Sequence, residues 1–297
     1  GVSPGYFLKF ADHQKNKIAY APSFGIDQMR NRDKKKIKKL LSEIGFLSAR
    51  EQSGCGIIKE ITGRNAIQLI DPVFLLEKKE WEKLAGKKRS EKPYILIYMM
   101  QKEEAVYQCA KRLKEKKKIR LVEISRYGLQ PGFIDETVVN LGPAEFLRLF
   151  CDADYICTNS YHGLVYSIIF EKECSLIPCK RFQARIKDLQ NLLHIREEEE
   201  DLKIVYDKED VQAILKKERE KALRYLGKGI RAKGESSKSK YCGCGACAQV
   251  CPTGCIQMRR DREGFQYPFI KKQQCIQCKQ CRIVCPMKQE EMNAEYN

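Results

Sequence analysis

No stretch of the 297-residue sequence approaches the roughly 18 consecutive apolar residues that a membrane-crossing helix needs, so no spanning segment is expected. Nor does a charged-then-apolar leader follow Gly1, so a secretory signal is not expected either, and the missing initiator Met points to a fragment or processed chain. Acidic residues are in deficit: 39 Asp and Glu face 56 Lys and Arg, for a net charge of +17. Such an excess raises the question of an anionic partner, nucleic acid above all. The basic runs "RDKKKIKKLLSEIG" (32–45) and "KRLKEKKKIR" (111–120) lack the interleaved aromatics that single-strand binding favours, and apolar residues interrupt them at helical spacing. They read as solvated faces of surface helices, and no nucleic-acid partner is expected. Cysteine is also sparse through the first 240 residues. Cys55, Cys109, Cys151, Cys157, Cys174 and Cys179 are scattered there, several within apolar runs, and read as buried thiols of a reducing, cytoplasmic protein.

What is present is an alternation of apolar strands with helical stretches. "KIAYAPSFG" (17–25), "FLSARE" (46–51) and "AIQLIDP" (66–72) read as strands, with helices near 27–43 and 55–62 between them. After the polar break "KKRSEKP" the pattern restarts. Strands are expected at 94–100, 119–125, 154–159 and 174–179, and helices at 102–116, 143–153 and from about 162. This succession predicts an α/β fold of parallel sheets covered by helices, whose ligands sit beyond the carboxyl ends of the strands. A charged helix over about 208–226 closes the region, and "GKGIRAKGESSKSK" (227–240) reads as a flexible linker.

The remaining nine cysteines lie between residues 242 and 285, a density that signals metal binding in a chain without a secretory leader. "CIQCKQCRIVCP" sets Cys275, Cys278, Cys281 and Cys285 in C-x2-C-x2-C-x3-C-P spacing, and Cys244, Cys247 and Cys251 repeat the C-x2-C-x3-C-P part of it. In such repeats three thiolates wrap one cluster while the fourth crosses to the other. Cys251 is thus expected to join Cys275, Cys278 and Cys281, and Cys285 to return to the first loop. A zinc ribbon is the alternative, which two Cys-Pro endings and eight or more thiolates fit less well. "CGCGAC…CPTGCI", "DREGFQYPFI" and the second motif resemble the bacterial dicluster ferredoxins, most closely the module in deazaflavin-reducing hydrogenase beta subunits. That resemblance implies two [4Fe-4S] clusters, low-potential single-electron transfer, and a redox protein or flavin or deazaflavin oxidoreductase as partner. It places the first ligand at position 241, which here is Tyr241. Cys242 is then the expected replacement and Cys255 the reserve.

In the longer region the informative stretch is "DADYICTNSYHGLVYSIIF" (152–170). A strand ending at Thr158 and a helix starting near His162 put Thr158, Asn159 and Ser160 in a turn able to cradle phosphate, with His162 at its mouth. Taken in order, "YFLKF", "IAYAPSFG", "SAREQSG", "IDPVFLL", "TNSYHGLVYSIIF" and "ARIKDLQNLL" resemble the polysaccharide pyruvyl transferase family over about residues 6–200. The resemblance implies two Rossmann-like halves, as in GT-B glycosyltransferases, and transfer of a pyruvyl group from phosphoenolpyruvate to paired hydroxyls of a glycan acceptor. His162 matches the family histidine of S-x-H-G, followed by Gly163, and Arg50 matches the cleft arginine. Arg185 is a further candidate for the phosphoenolpyruvate pocket, with a surface ion pair as its alternative. Tyr161 stands where relatives often carry arginine.

Relatives begin with a Gly-rich strand-turn-helix that this sequence lacks, so the first half reads as truncated. The organisation expected is a remnant of the first half at 1–91, the second half at 92–226, the linker at 227–240, the dicluster module at 241–289 and a tail at 290–297. Two other readings remain: an iron–sulfur subunit whose α/β region only docks, and a redox-sensing interaction protein.

Overall fold

The computed structural model describes residues 3–11, 17–26, 28–88, 92–125, 131–177, 183–231, 242–260 and 264–285. Cys179, Tyr241, most of the expected linker and the expected tail lie outside the described residues. The chain divides into two compact units, Gly1–Gly227 and Lys228–Asn297, each treated by itself below.

In the first unit the lysine run forms helix α1 (Asn31–Ser42), which buries Ile37, Leu40 and Leu41 and leaves Lys35, Lys36, Lys38 and Lys39 exposed. Strand β1 (Ser48–Ala49), helix α2 (Gln52–Thr62) and strand β2 (Ile67–Gln68) follow, and β1 pairs with β2 in parallel. The strand expected over 17–25 shrinks to one parallel bridge, Ile18 with Phe46. Ala21 has a φ of 41° and Pro22 carries no N–H, so extended pairing stops there. A 3₁₀ turn, Pro72–Leu75, and helix α3 (Lys78–Ala85) complete this half.

The second half is β3 (Tyr94–Tyr98), α4 (Glu104–Lys117), β4 (Arg120–Ile124), β5 (Glu136–Val138), α5 (Pro143–Asp152), β6 (Tyr155–Thr158), α6 (Tyr161–Ile169) and β7 (Glu173–Leu176). Its five strands are all parallel, in the order β5-β4-β3-β6-β7. That is the doubly wound order, in which the chain starts in the middle, builds outward to one edge and returns to build toward the other. Alternation along β3 feeds two cores: Leu96 packs with α5 and α6, while Ile95 and Ile97 pack with α4. The order reverses between β3 and β6, and a ligand crevice is expected outside the carboxyl ends of these strands.

Beyond the expected elements come α7 (Gln183–Leu192) and the antiparallel pair β8 (Arg196–Glu197) and β9 (Ile204–Val205), and the expected charged helix is α8 (Lys208–Arg231). Helix α8 returns to the first half, where Ala222 and Tyr225 pack with Ala21 and Leu69, and Tyr225 donates to the Ala19 carbonyl at 2.9 Å. It runs five residues past Leu226, the last residue of the expected helix; the helical spacing of Ala222, Tyr225 and Leu226 carries it on, although Gly227 and Gly229 each cost about 1 kcal/mol relative to alanine.

One buried group in this core titrates. Glu123 is 3% exposed, accepts from the Tyr107 hydroxyl at 2.9 Å and leaves Oε2 without a hydrogen bond. Burial raises its carboxyl above the ordinary value, and the Tyr107 hydrogen bond and the Lys102 charge only partly offset that. Native protein therefore binds the extra proton, so stability falls as pH rises from the unfolded value through the folded one. Glu123→Gln keeps the acceptor and removes the titration. Its thermal midpoint should exceed that of the parent at pH 8 and match it near pH 4; equal midpoints at both would contradict this.

The second unit consists of α9 (Ala246–Gln249), an antiparallel hairpin of β10 (Ile256–Arg260) and β11 (Gln266–Ile270), and α10 (Gln280–Ile283).

Candidate functional site

The two parallel sheets of the first unit deliver side chains to one place. Arg50 immediately follows β1, and its backbone N–H is held by the Pro22 carbonyl at 3.0 Å. Asp71 follows β2 and caps the 3₁₀ turn, with Oδ1 accepting from the Val73 N–H at 2.9 Å. His162 lies in the first turn of α6, after β6. Asp71, 1% exposed, joins the other two: its Oδ2 lies 2.7 Å from Arg50 Nη1 and 3.3 Å from His162 Nε2. Burial raises the Asp71 carboxyl, but the His162 ring 3.3 Å away, the Arg50 charge and the Val73 N–H outweigh it and hold the group below its ordinary value. The stability this network adds is complete above the ordinary carboxylate value and is lost only as pH falls through the lower folded one.

The same contact sets the imidazole. With Nε2 toward a carboxylate, Nδ1 is the nitrogen left to meet a ligand, and the side chain is 43% exposed. Arg50 keeps a buried Nε that makes no hydrogen bond.

Tyr161 fills the space between two cations. The Arg50 guanidinium carbon is 5.3 Å and that of Arg185 5.5 Å from its ring centroid, both over the ring. Burial pushes the phenol above its ordinary value, and the Asp71 charge adds to this, so Tyr161 is neutral and uncharged throughout the physiological range. Burial, and then the charge of Arg50, lower the Arg185 value. A small pocket opens beside this group, lined by Arg50, Gln68, Tyr161, Arg185, Asp188 and Lys221 among others. Asp188 also holds α2 in place, accepting from the Gln52 N–H at 2.6 Å. Glu51, fully buried, accepts from Ser23 Oγ, Phe24 N and Gly25 N at 3.0, 2.7 and 3.1 Å and so fastens the neighbouring loop.

Thr158, Asn159 and Ser160 lie where the sequence places them, between β6 and α6, but their side chains face inward. Thr158 Oγ1 donates to the Tyr98 carbonyl at 2.6 Å and accepts from the Ser160 N–H at 3.0 Å. The Asn159 amide accepts from Met100 N and donates to the Gln101 carbonyl. These groups staple the end of β3 to the turn; what the turn offers an anion is the backbone N–H groups of the first turn of α6. Gly163 lets α6 approach β6 closely, for a Cβ there would sit 2.1 Å from Thr158 Oγ1. Asp71, Tyr161, Asp188 and Glu51 were not among the expected site residues. The one signal for Asp71 was its place in "IDP", a capping aspartate at a strand end.

In the second unit a small pocket is lined by Cys242, Cys244, Cys247 and Cys285, together with Met258 and Pro268 of the hairpin. Cys285 thus lies with the first loop. Cys255 is 2% exposed, with Sγ 3.3 Å from Cys251 Sγ. Cys275 and Cys278 are exposed, while Cys251 and Cys281 are partly buried. Among the described residues, no three His, Cys, Asp or Glu side chains converge as they would around one ion. The donor set is nevertheless the thiolate set that iron–sulfur clusters use, eight or more in a repeat that ends each half in Cys-Pro.

A doubly wound sheet, with Arg50, Asp71 and His162 gathered beyond strand ends, is joined in one chain to a cysteine repeat of the iron–sulfur type. The family model for polysaccharide pyruvyl transferase matches residues 2–181, and that for a 4Fe-4S dicluster domain matches residues 242–289. The chain belongs to the polysaccharide pyruvyl transferase family and carries a 4Fe-4S dicluster domain. No curated protein matches it. Among the described residues, no helix is long and apolar enough to cross a membrane.

Proposed function

We propose that the first unit transfers the pyruvyl group of phosphoenolpyruvate to two hydroxyls of a glycan sugar, at the site formed by Arg50, Asp71 and His162. The observation that carries this reading is the single buried carboxylate oxygen that holds both a cation and an imidazole at the ends of parallel strands. In the overall reaction C2 of the enolpyruvate gains two bonds to sugar oxygens and loses its bond to phosphate. One hydroxyl proton ends on C3, making a methyl group, and the other leaves on phosphate. Arg50, with Arg185 beside the pocket, neutralises the carboxylate and phosphate of the donor. His162, its Nε2 fixed by Asp71, moves the proton through Nδ1. The two halves of the unit are read as a GT-B-like pair, with residues 1–91 and 92–226 facing each other across the cleft.

Cys251, Cys275, Cys278 and Cys281 would hold one cluster of the second unit, and Cys244, Cys247 and Cys285 belong to the other. Bound clusters would supply single-electron transfer to a redox protein or a flavin or deazaflavin enzyme. The test has two arms. Anaerobically purified chain should be brown, with about eight irons and eight sulfides. The same protein should release phosphate from phosphoenolpyruvate only when galactose-, mannose- or glucose-terminated oligosaccharides are added. Stoichiometric zinc without sulfide sinks the first arm, and acceptor-independent or absent phosphate release sinks the second.

A further inference from the structure

The two halves of the cysteine repeat superimpose at a constant offset of thirty-four residues. Cys244, Cys247 and Cys251 correspond to Cys278, Cys281 and Cys285, and helix α9 to helix α10. Backbone conformation follows the same offset. Gly243 and Gly245 have φ of 71° and 73°, and their counterparts Gln277 and Lys279 have 55° and 61°. Gly245 and Lys279 are both left-handed N-cap residues of their helices. The symmetry fails at one point. Cys275 has Tyr241 as its counterpart, so the first half has no thiol three residues before its C-x2-C pair.

We propose that Cys242 is the fourth thiolate of the first cluster, held with Cys244, Cys247 and Cys285 by a loop one residue shorter than its repeat counterpart. This rests on the reading of the second unit as a dicluster module. Three observations carry it. Cys242 lines the pocket that contains the other three thiols, although Cys285 is forty-three residues away in sequence. The residue it must turn through is a glycine at positive φ, where a Cβ would meet the Gln266 carbonyl oxygen at 3.2 Å, so the tightened loop runs close against β11 where a side chain would be crowded. The competing thiol, Cys255, is occupied elsewhere: it is buried against Cys251, a ligand of the other set, and is not among the residues that line this pocket. Phenolate at position 241 would in any case be a poor replacement for a thiolate on iron.

The test compares the full chain with Cys242→Ser, Cys255→Ser and the double variant Tyr241→Cys/Cys242→Ser, all purified anaerobically and read by iron and sulfide content and by electron paramagnetic resonance. Cys242→Ser should lose about one iron per chain and show a three-iron cluster signal, while Cys255→Ser keeps the parent iron content and spectrum. The double variant, which restores the longer spacing, should recover the four-iron signal even where Cys242→Ser alone assembles poorly. Parent-like iron and spectrum in Cys242→Ser, loss of a cluster in Cys255→Ser, or no recovery in the double variant overturns the assignment. A parent chain without iron and sulfide would instead sink the module reading itself, so the two failures are distinct.

Discussion

Replacing His162 with alanine is expected to lower acceptor-dependent phosphate release from phosphoenolpyruvate by about 10² to 10⁴, the usual worth of a positioned acid–base group. The loss should fall on kcat, because the ring moves a proton and does not hold the donor. Asp71→Asn should behave differently, lowering kcat and raising KM together. One buried oxygen of Asp71 fixes both the His162 ring at 3.3 Å and the Arg50 guanidinium at 2.7 Å, and an amide matches neither. Arg50→Lys keeps the charge but loses the planar fork that meets a carboxylate or phosphate, so it should raise KM and spare kcat. Turnover unchanged in His162→Ala would return the histidine to a structural role, and an Asp71→Asn effect confined to KM would detach it from the imidazole.

The second large effect is on stability. Gly163→Ala should destabilise the first unit by about 3 kcal/mol or more, because the new methyl would lie 2.1 Å from Thr158 Oγ1 and 2.9 Å from Thr158 Cβ. Thr158 cannot easily yield, since its hydroxyl is hydrogen-bonded to both Tyr98 and Ser160. Helix α6 must move instead, and His162 with it, so activity should fall along with the thermal midpoint. Gly56, exposed in the middle of α2 with nothing within 4 Å of an added Cβ, provides the contrast: Gly56→Ala should be neutral or stabilising by about 0.5–1 kcal/mol. A Gly163→Ala protein that melts with the parent would contradict the close packing of α6 on β6.

These two experiments probe what sequence reading reached and what it missed. "YILIY" and "DYICT" were legible as strands because both faces of a parallel sheet are buried and the runs are continuously apolar. Strand β5, "ETV", was not, since three partly polar edge residues carry no periodic signal. The segment 17–25 looked like a strand by composition, but Pro22 and the backbone at Ala21 stop the pairing. In the site, His162 and Arg50 stood out through local motifs. Asp71 did not: an aspartate before proline is first of all a turn residue, and its meeting with His162 spans ninety-one residues of chain. Thr158 and Asn159 sat in the expected turn, yet only the structure shows their side chains bonded to the end of β3. In the cysteine module the order was reversed. Spacing alone predicted that Cys285 would return to the first loop, because crossed ligation is a property of the repeat.

The most direct measurement of the central claim, that Arg50, Asp71 and His162 perform pyruvyl transfer, is to run the reaction in heavy water and examine the glycan by mass spectrometry and proton NMR. The account predicts a ketal whose methyl carries one deuteron, delivered to C3 as phosphate departs, and its disappearance in His162→Ala. A glycan that gains no ketal while phosphoenolpyruvate is consumed, or a ketal formed equally well without His162, would contradict it.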